Sequence, residues 1–278
     1  MKCFDCPRNC GVDRTFEKGF CLQGEDITIA KIIENFEWEE DCISKKNLAI
    51  FFSGCSLRCE YCQNFEISCT EVGKTYSVDE FVELLKKYKD FDCIDLITPT
   101  HFSSKILKAF EIYKPDSTII WNTSGYEKEE TIEKLSKYVD IFLTDFKYSD
   151  NNLGLKYSKV NDYNEVALKA LKKMCELKEN VFEGEIMKQG VIIRHLVLPM
   201  NVENSKKVLD IIKENIKDPF VSIMSQFTPN GKGDLNRKLL PLEYKIILNY
   251  ADKLGFNQGY IQDFCSADEN YIPKFTNS

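Results

Sequence analysis

No apolar stretch of this 278-residue chain approaches the ~20 residues that a membrane-crossing helix requires, which argues against a membrane partner. The opening residues, MKCFDCPRNC, lack the charged-then-apolar pattern of a secretory signal, so a cytoplasmic location is expected. Positive charge is not in excess either. The formal net charge is −7, which argues against nucleic acid as a partner. Long low-complexity runs are missing, and 43% hydrophobic with 12% aromatic residues is ample for a large core. The length suits one α/β body with a small appendage. What the chain has in quantity is cysteine. Twelve thiols without an export signal point to metal or redox chemistry rather than to disulfides.

After residue 45, short apolar runs alternate with amphipathic segments. The runs cover 47–53, 93–98, 117–121, 139–146, 190–198 and 220–227, with a weaker one at 256–262. They are β-branched and aromatic and lack strict alternation, as strands buried on both faces should. Helices are expected near 77–89, 103–114, 128–138, 164–178, 204–216 and 241–254. Ser77 with Glu80 reads as a capping box, Pro241 as a first-turn proline and Gly255 as a stop. Strands alternating with helices imply a parallel sheet with right-handed crossovers. The predicted fold is therefore α/β, a partial (β/α)6 barrel over 46–278 with a C-terminal extension. Residues 1–45 form a small cysteine-rich, metal-binding segment ahead of it. An open doubly wound sheet is the alternative.

Ligands of such folds bind at the carboxyl ends of the strands. The loop after the first run, GCSLRCEYCQN, places Cys55, Cys59 and Cys62 at spacing C-x3-C-x2-C with no fourth cysteine close by. Three thiolates on a cubane iron–sulfur cluster leave one iron open, which a catalytic centre needs and a closed structural site does not. A zinc knuckle completed from a distance, or core cysteines, are the plainer readings. Tyr61, beside Cys62, is placed to stack on a ligand base. A second set, Cys3-x2-Cys6-x3-Cys10-x10-Cys21, gathers four thiols in a segment too short to hold its shape alone. Zinc and a second iron–sulfur cluster both suit it. Cys93 and Cys175 read as packing residues. Cys42 and Cys69 stay open between roles, and Cys265 reads as an inert thiol on a polar tail.

The loop Gly54–Cys55-x3-Cys59-x-Tyr61–Cys62 after a first strand resembles the signature of the radical S-adenosylmethionine superfamily. CPRNCGVDR, TPTH, NTSGYE, DFKYS, GVIIRHLVLP and GYIQ extend the resemblance to a group named for likeness to pyruvate formate-lyase activating enzyme. The resemblance implies a [4Fe–4S] cluster on Cys55, Cys59 and Cys62, with S-adenosylmethionine chelating the fourth iron. It also implies an electron donor such as flavodoxin or ferredoxin, and a glycyl radical enzyme or a peptide as substrate. Where the superfamily has Gly-Gly-Glu, this chain has Thr98, Thr100 and His101 to meet the methionine amine. Asn122, Thr123, Asp145 and Lys147 match elements that position the carboxylate, partly through a monovalent cation. Arg194, in the run VIIRHLVLP, is expected at the methionyl or ribose end. Gln226 and Gln262 end later runs, where core hydrogen bonding is the default. A small-molecule substrate, or a non-catalytic zinc module or redox sensor, are the competing functions. No single catalytic side chain stands out.

Overall fold

The apolar runs become the middle of one twisted sheet. The computed structural model describes residues 2–37, 40–231, 233–264 and 275, so Cys265 lies outside the described residues. At one edge, β1 (Ile27–Glu34) pairs antiparallel with β2 (Asn47–Phe52) and, on its other side, with β3 (Lys74–Tyr76). From β2 the sheet continues in parallel through β4 (Cys93–Ile97), β5 (Thr118–Thr123) and β6 (Ile141–Asp145). A short antiparallel β7 (Val181–Glu183) leads into β8 (Ile186–Leu196), which returns beside β6. Next come β9 (Phe220–Met224) and the brief β10 (Gly259–Ile261), both parallel. The strand path runs β10-β9-β8-β6-β5-β4-β2-β1-β3 and does not close. The architecture is a largely parallel, open α/β sheet of the partial-barrel kind.

Among the described residues, α1 (Phe65–Ser68) follows the first loop and packs Ile67 on Ala49, Phe51 and Ile97, while seven helices cover the other face: α2 (Val78–Lys87), α3 (Ser103–Ile112), α4 (Glu129–Leu135), α5 (Asn151–Ser158), α6 (Tyr163–Leu177), α7 (Val202–Asn215) and α8 (Pro241–Lys253). The capping box at Ser77 and Glu80 forms, and it aims Phe81, Val82 and Leu85 at the sheet. Alternation then sorts the strand side chains. Leu48, Ile50, Phe52, Leu96, Trp121, Phe142, Ile193 and Ile223 point to the helices and form the main core. Full burial of each such side chain stabilises by roughly 1.5–3 kcal/mol. The opposite face lines the lumen. Its lower part is apolar, with Cys93, Ile120, Ile141, Leu143, Ile192 and Phe220 packed on Cys42, Ile43 and Met187. Cys42 is thus a packing residue of the lumen floor, as Cys93 is.

Two features depart from the pattern read in the sequence. β1 lies within the first forty-five residues yet belongs to the sheet, so the cysteine-rich stretch standing outside it ends near residue 26. The segment between β1 and β2 turns inward and closes the lumen from below, burying Glu40, Cys42 and Ile43. A second helix, α5, stands before α6, starting from Asp150, whose carboxylate accepts the Leu153 N–H at 3.1 Å.

Candidate metal and cofactor site

The carboxyl ends of β2, β4, β5, β6, β8 and β9 surround a cavity of about 210 Å³. Cys55, Cys59 and Cys62 all open on it, as do Tyr61, Thr98, Asn122, Thr123, Asp145, Lys147 and Arg194. The loop that carries the thiols starts at Gly54, whose φ of +79° favours glycine; a Cβ there would collide with the Cys21 carbonyl oxygen. Each sulfur meets a donor. The Leu57 N–H lies 3.4 Å from Cys55 Sγ, the Ser68 hydroxyl 3.3 Å from Cys62 Sγ, and Ser158 Oγ 2.9 Å from Cys59 Sγ. Burial nevertheless pushes the Cys55 thiol up, Cys59 up to about 11 and Cys62 up to about 12. These thiols need a cationic metal group to be thiolates.

Among the described residues, no three His, Cys, Asp or Glu side chains are grouped to hold a single metal ion. Three separate thiols around one cavity, all with hydrogen-bond partners at sulfur, would fit a polynuclear iron–sulfur group. The donor chemistry therefore suits a [4Fe–4S] cluster.

The polar wall opposite is arranged in pairs. Asn122 Nδ2 donates to Asp95 Oδ2 at 3.2 Å, and Asp145 is ion-paired with Lys147. Burial works to lower the Lys147 pKa, but the charges of Asp145 and Cys59 prevail and raise it. Lys147 is thus the counter-charge of Asp145 at this wall. Arg194 faces the lumen and makes a two-pronged contact with Glu40, at 2.9 and 2.7 Å, while Ser222 donates to the same carboxylate at 2.8 Å. Its neighbour His195 points the other way, to Phe146 O and Ser205 Oγ. Burial holds the His195 pKa down to about 4.

Thr98 holds φ +60°, a costly conformation for a β-branched residue, and its N–H donates to Asn122 O at 2.8 Å. This left-handed turn feeds a short 3₁₀ turn and rotates the next residues away from the cavity. Thr100 and His101, expected at the cofactor, are therefore not brought to it. The Thr100 hydroxyl donates to Glu127 Oε1 at 2.6 Å. The fully buried His101 ring lies 2.7 Å from Ser53 O, and burial holds its pKa down to about 3. Tyr61 reaches the cavity, but its ring packs on Tyr157 and Phe227 and its hydroxyl meets Tyr148 at 2.7 Å. Gln226 lines the cavity wall and is held by Gln262, whose side chain receives the Ser225 and Gln226 N–H groups.

Sequence reasoning missed Glu40 and Glu127. Glu127 Oε1 accepts from Thr100, Thr123 and Trp121 at 2.6, 2.6 and 3.0 Å, tying the turns after β4 and β5 together. Burial pushes this carboxyl up against those donors. The signal available was its place in NTSGYE, although nothing there announced three partners.

The second cysteine set packs behind the first. Cys3, Cys6 and Cys21 are buried and Cys10 is exposed. Cys10 and Cys21 both approach Gly19, and Arg14 donates to Cys21 Sγ at 3.2 Å. Arg8 spans the two sets, donating to the carbonyls of Ser56 at 2.7 Å, Leu57 at 3.3 Å and Ser158 at 3.2 Å.

With this geometry described, comparison with known proteins identifies the class. The radical SAM superfamily pattern matches residues 49–212, more than half of the chain, and the protein belongs to that superfamily. Membership implies a [4Fe–4S] cluster, S-adenosylmethionine and radical chemistry. Within it, the chain is similar to an uncharacterized protein of Methanocaldococcus jannaschii, 29% identical over 273 residues, covering 93% of this chain and 76% of that one. It is also similar to the pyruvate formate-lyase-activating enzyme of Clostridium pasteurianum, 26% identical over 182 residues, covering 61% of this chain and 70% of that one. Among solved structures, Streptococcus suis SuiB bound to precursor peptide SuiA shares the fold with a TM-score of 0.52 and 18% identity, over 77% of this chain and 47% of SuiB. Among the described residues, no helix is long and apolar enough to cross a membrane.

Proposed function

We propose that this chain is an activating-enzyme-like radical S-adenosylmethionine enzyme that removes hydrogen from a glycyl residue of a partner protein. The observation that carries the reading is the opening of Cys55, Cys59 and Cys62 on one polar-walled cavity at the strand ends. When bound, the [4Fe–4S] cluster supplies the one electron that breaks the sulfonium–C5′ bond of S-adenosylmethionine, giving methionine and a 5′-deoxyadenosyl radical that takes a hydrogen atom from substrate. Cys55, Cys59 and Cys62 would hold the cluster. Thr98, Asn122 and Thr123 present hydroxyl, amide and carbonyl groups to the methionine end. Asp145 and Lys147 keep opposite charges at the wall, and Arg194 is fixed by Glu40 beneath it. Tyr61, Leu196, Met224 and Phe227 exclude water on the far side. Flavodoxin or ferredoxin is the electron donor class this chemistry calls for.

The glycyl target is favoured by the similarity to the clostridial activating enzyme. Anaerobic reconstitution with reductant should yield 5′-deoxyadenosine, and a glycyl-type electron spin resonance signal should appear in the partner. Organic products without any protein radical would instead favour a small-molecule substrate. No 5′-deoxyadenosine from fully loaded protein with substrate present would sink the reading.

Cys3, Cys6, Cys10 and Cys21 are proposed to hold a closed structural metal, zinc or a second iron–sulfur cluster. The burial of Cys3, Cys6 and Cys21, and the approach of Cys10 and Cys21 to Gly19, support it. Iron, zinc and sulfide analysis of the parent and a Cys3/Cys6 double alanine variant decides between the two.

A further inference from the structure

We propose that Ser158 is a positioning residue that raises the reduction potential of the cluster by donating a hydrogen bond to the Cys59 sulfur, with Tyr148 and Tyr61 holding its hydroxyl in the donating orientation. The proposal rests on the cluster assignment above and on geometry that assignment does not use. Ser158 Oγ lies 2.9 Å from Cys59 Sγ, closer than the donors at Cys55 and Cys62, at 3.4 and 3.3 Å. Tyr148 Oη lies 2.7 Å from Ser158 Oγ, and Tyr61 Oη 2.7 Å from Tyr148 Oη. The whole row is buried, with Ser158 and Tyr148 fully so.

Metal ligation gives this row a direction. A metal-bound thiolate carries no proton, so Ser158 must donate to Cys59. Its oxygen then accepts from Tyr148, and the Tyr148 oxygen accepts from Tyr61. Donors in such a row polarise one another, so the last bond is stronger than an isolated hydroxyl would give. Reduction adds negative charge to the cluster, and hydrogen bonds to its sulfurs favour the reduced form. The scaffold keeps Ser158 in place. It ends α5, Lys159 turns the chain at φ +60°, the Glu60 N–H donates to Tyr157 O at 2.9 Å, and Arg8 holds Ser158 O. The hydroxyl is thus fixed between Cys59 Sγ and Tyr148 Oη, and the carbonyl of the same residue is fixed by Arg8.

The test is a potentiometric titration of the reconstituted cluster, read by electron spin resonance without S-adenosylmethionine. At one poised potential, Ser158→Ala should lower the reduced-to-oxidised ratio about tenfold, equivalent to about 59 mV for one electron. Tyr148→Phe should lower it by a smaller factor in the same direction, and Ser158→Thr should restore the parent value. Ratios unchanged in both Ser158→Ala and Tyr148→Phe overturn the proposal. Should Ser158→Ala not retain iron and sulfide, Tyr148→Phe alone decides, with an unchanged ratio overturning it. A parent protein that takes up no cluster overturns both this inference and the functional reading. A normal cluster with a shifted Ser158→Ala ratio but no 5′-deoxyadenosine would sink the functional reading alone.

Discussion

The two cysteine groups of this chain sit side by side but are built differently. Cys55, Cys59 and Cys62 hang from the end of β2, face a cavity, and each has a hydrogen-bond partner at sulfur, Leu57 N–H, Ser158 Oγ and Ser68 Oγ respectively. Cys3, Cys6, Cys10 and Cys21 belong to turns outside the sheet; Cys3, Cys6 and Cys21 are buried, and Cys10 and Cys21 converge on Gly19. The first arrangement leaves room for a reactant beside the thiols, which is what distinguishes a catalytic metal site from the closed structural site proposed for the second. Arg8 is the strap between them, reaching from the second group to three carbonyls around the first.

The strongest way to break the comparison is to remove one ligand from each group. Cys59→Ala should reduce 5′-deoxyadenosine formation to background. Cys6→Ala should leave measurable cleavage while lowering the melting temperature; equal loss of chemistry in both variants would erase the distinction. Next in size is the floor under the open group. Glu40→Ala removes the two-pronged carboxylate partner of the buried Arg194 and should destabilise by about 3–5 kcal/mol in denaturant unfolding. Acid acts on the seam between the groups through His101. Burial holds it neutral, with its pKa down to about 3, against an unfolded value near 6.5. The unfolded chain thus binds the extra proton. The contribution is complete above pH ~6.5 and fades as pH falls toward 3, with about 2 kcal/mol lost by pH 5. His101→Gln should flatten that slope in urea titrations run across pH 5–7. The smallest effect sharpens the contrast most. Arg8→Ala should cost about 1–3 kcal/mol and speed iron loss from the open group to chelator, without altering metal content at the closed one. Loss of metal from both sites at equal rates would show that the strap serves neither in particular.

Much of the scaffold could be read beforehand because its signals are local. Each long apolar run from 47 to 227 carries enough β-branched and aromatic residues to be a strand wherever it lies, and Ser77 with Glu80 cap α2 by contacts three residues apart. The short elements gave no such signal. α5 has only eight residues and a weak apolar stripe, and it is held by its contacts with the signature loop. β1 mixes apolar residues with Lys31 and Glu34, and it becomes a strand by pairing with β2. Site residues divide in the same way. Asp145 and Lys147, two apart in one motif, meet in a local ion pair. Glu40 and Arg194 lie 154 positions apart, and Ser158 and Cys59 99 apart, so no window of sequence contains either contact. Thr100 and His101 sat in the right loop, but the left-handed Thr98 aimed them elsewhere.

The sequence alone determined the alternation of buried strands and helices, and with it the strand end at which three thiols must gather, because hydrophobic period and cysteine spacing act over a few residues. Only the tertiary structure decided which wall those thiols face, that Arg194 is braced by Glu40, and that a serine at the end of a short helix touches the Cys59 sulfur. Such contacts depend on how distant segments pack, and side-chain direction at a turn follows backbone angles that composition does not encode.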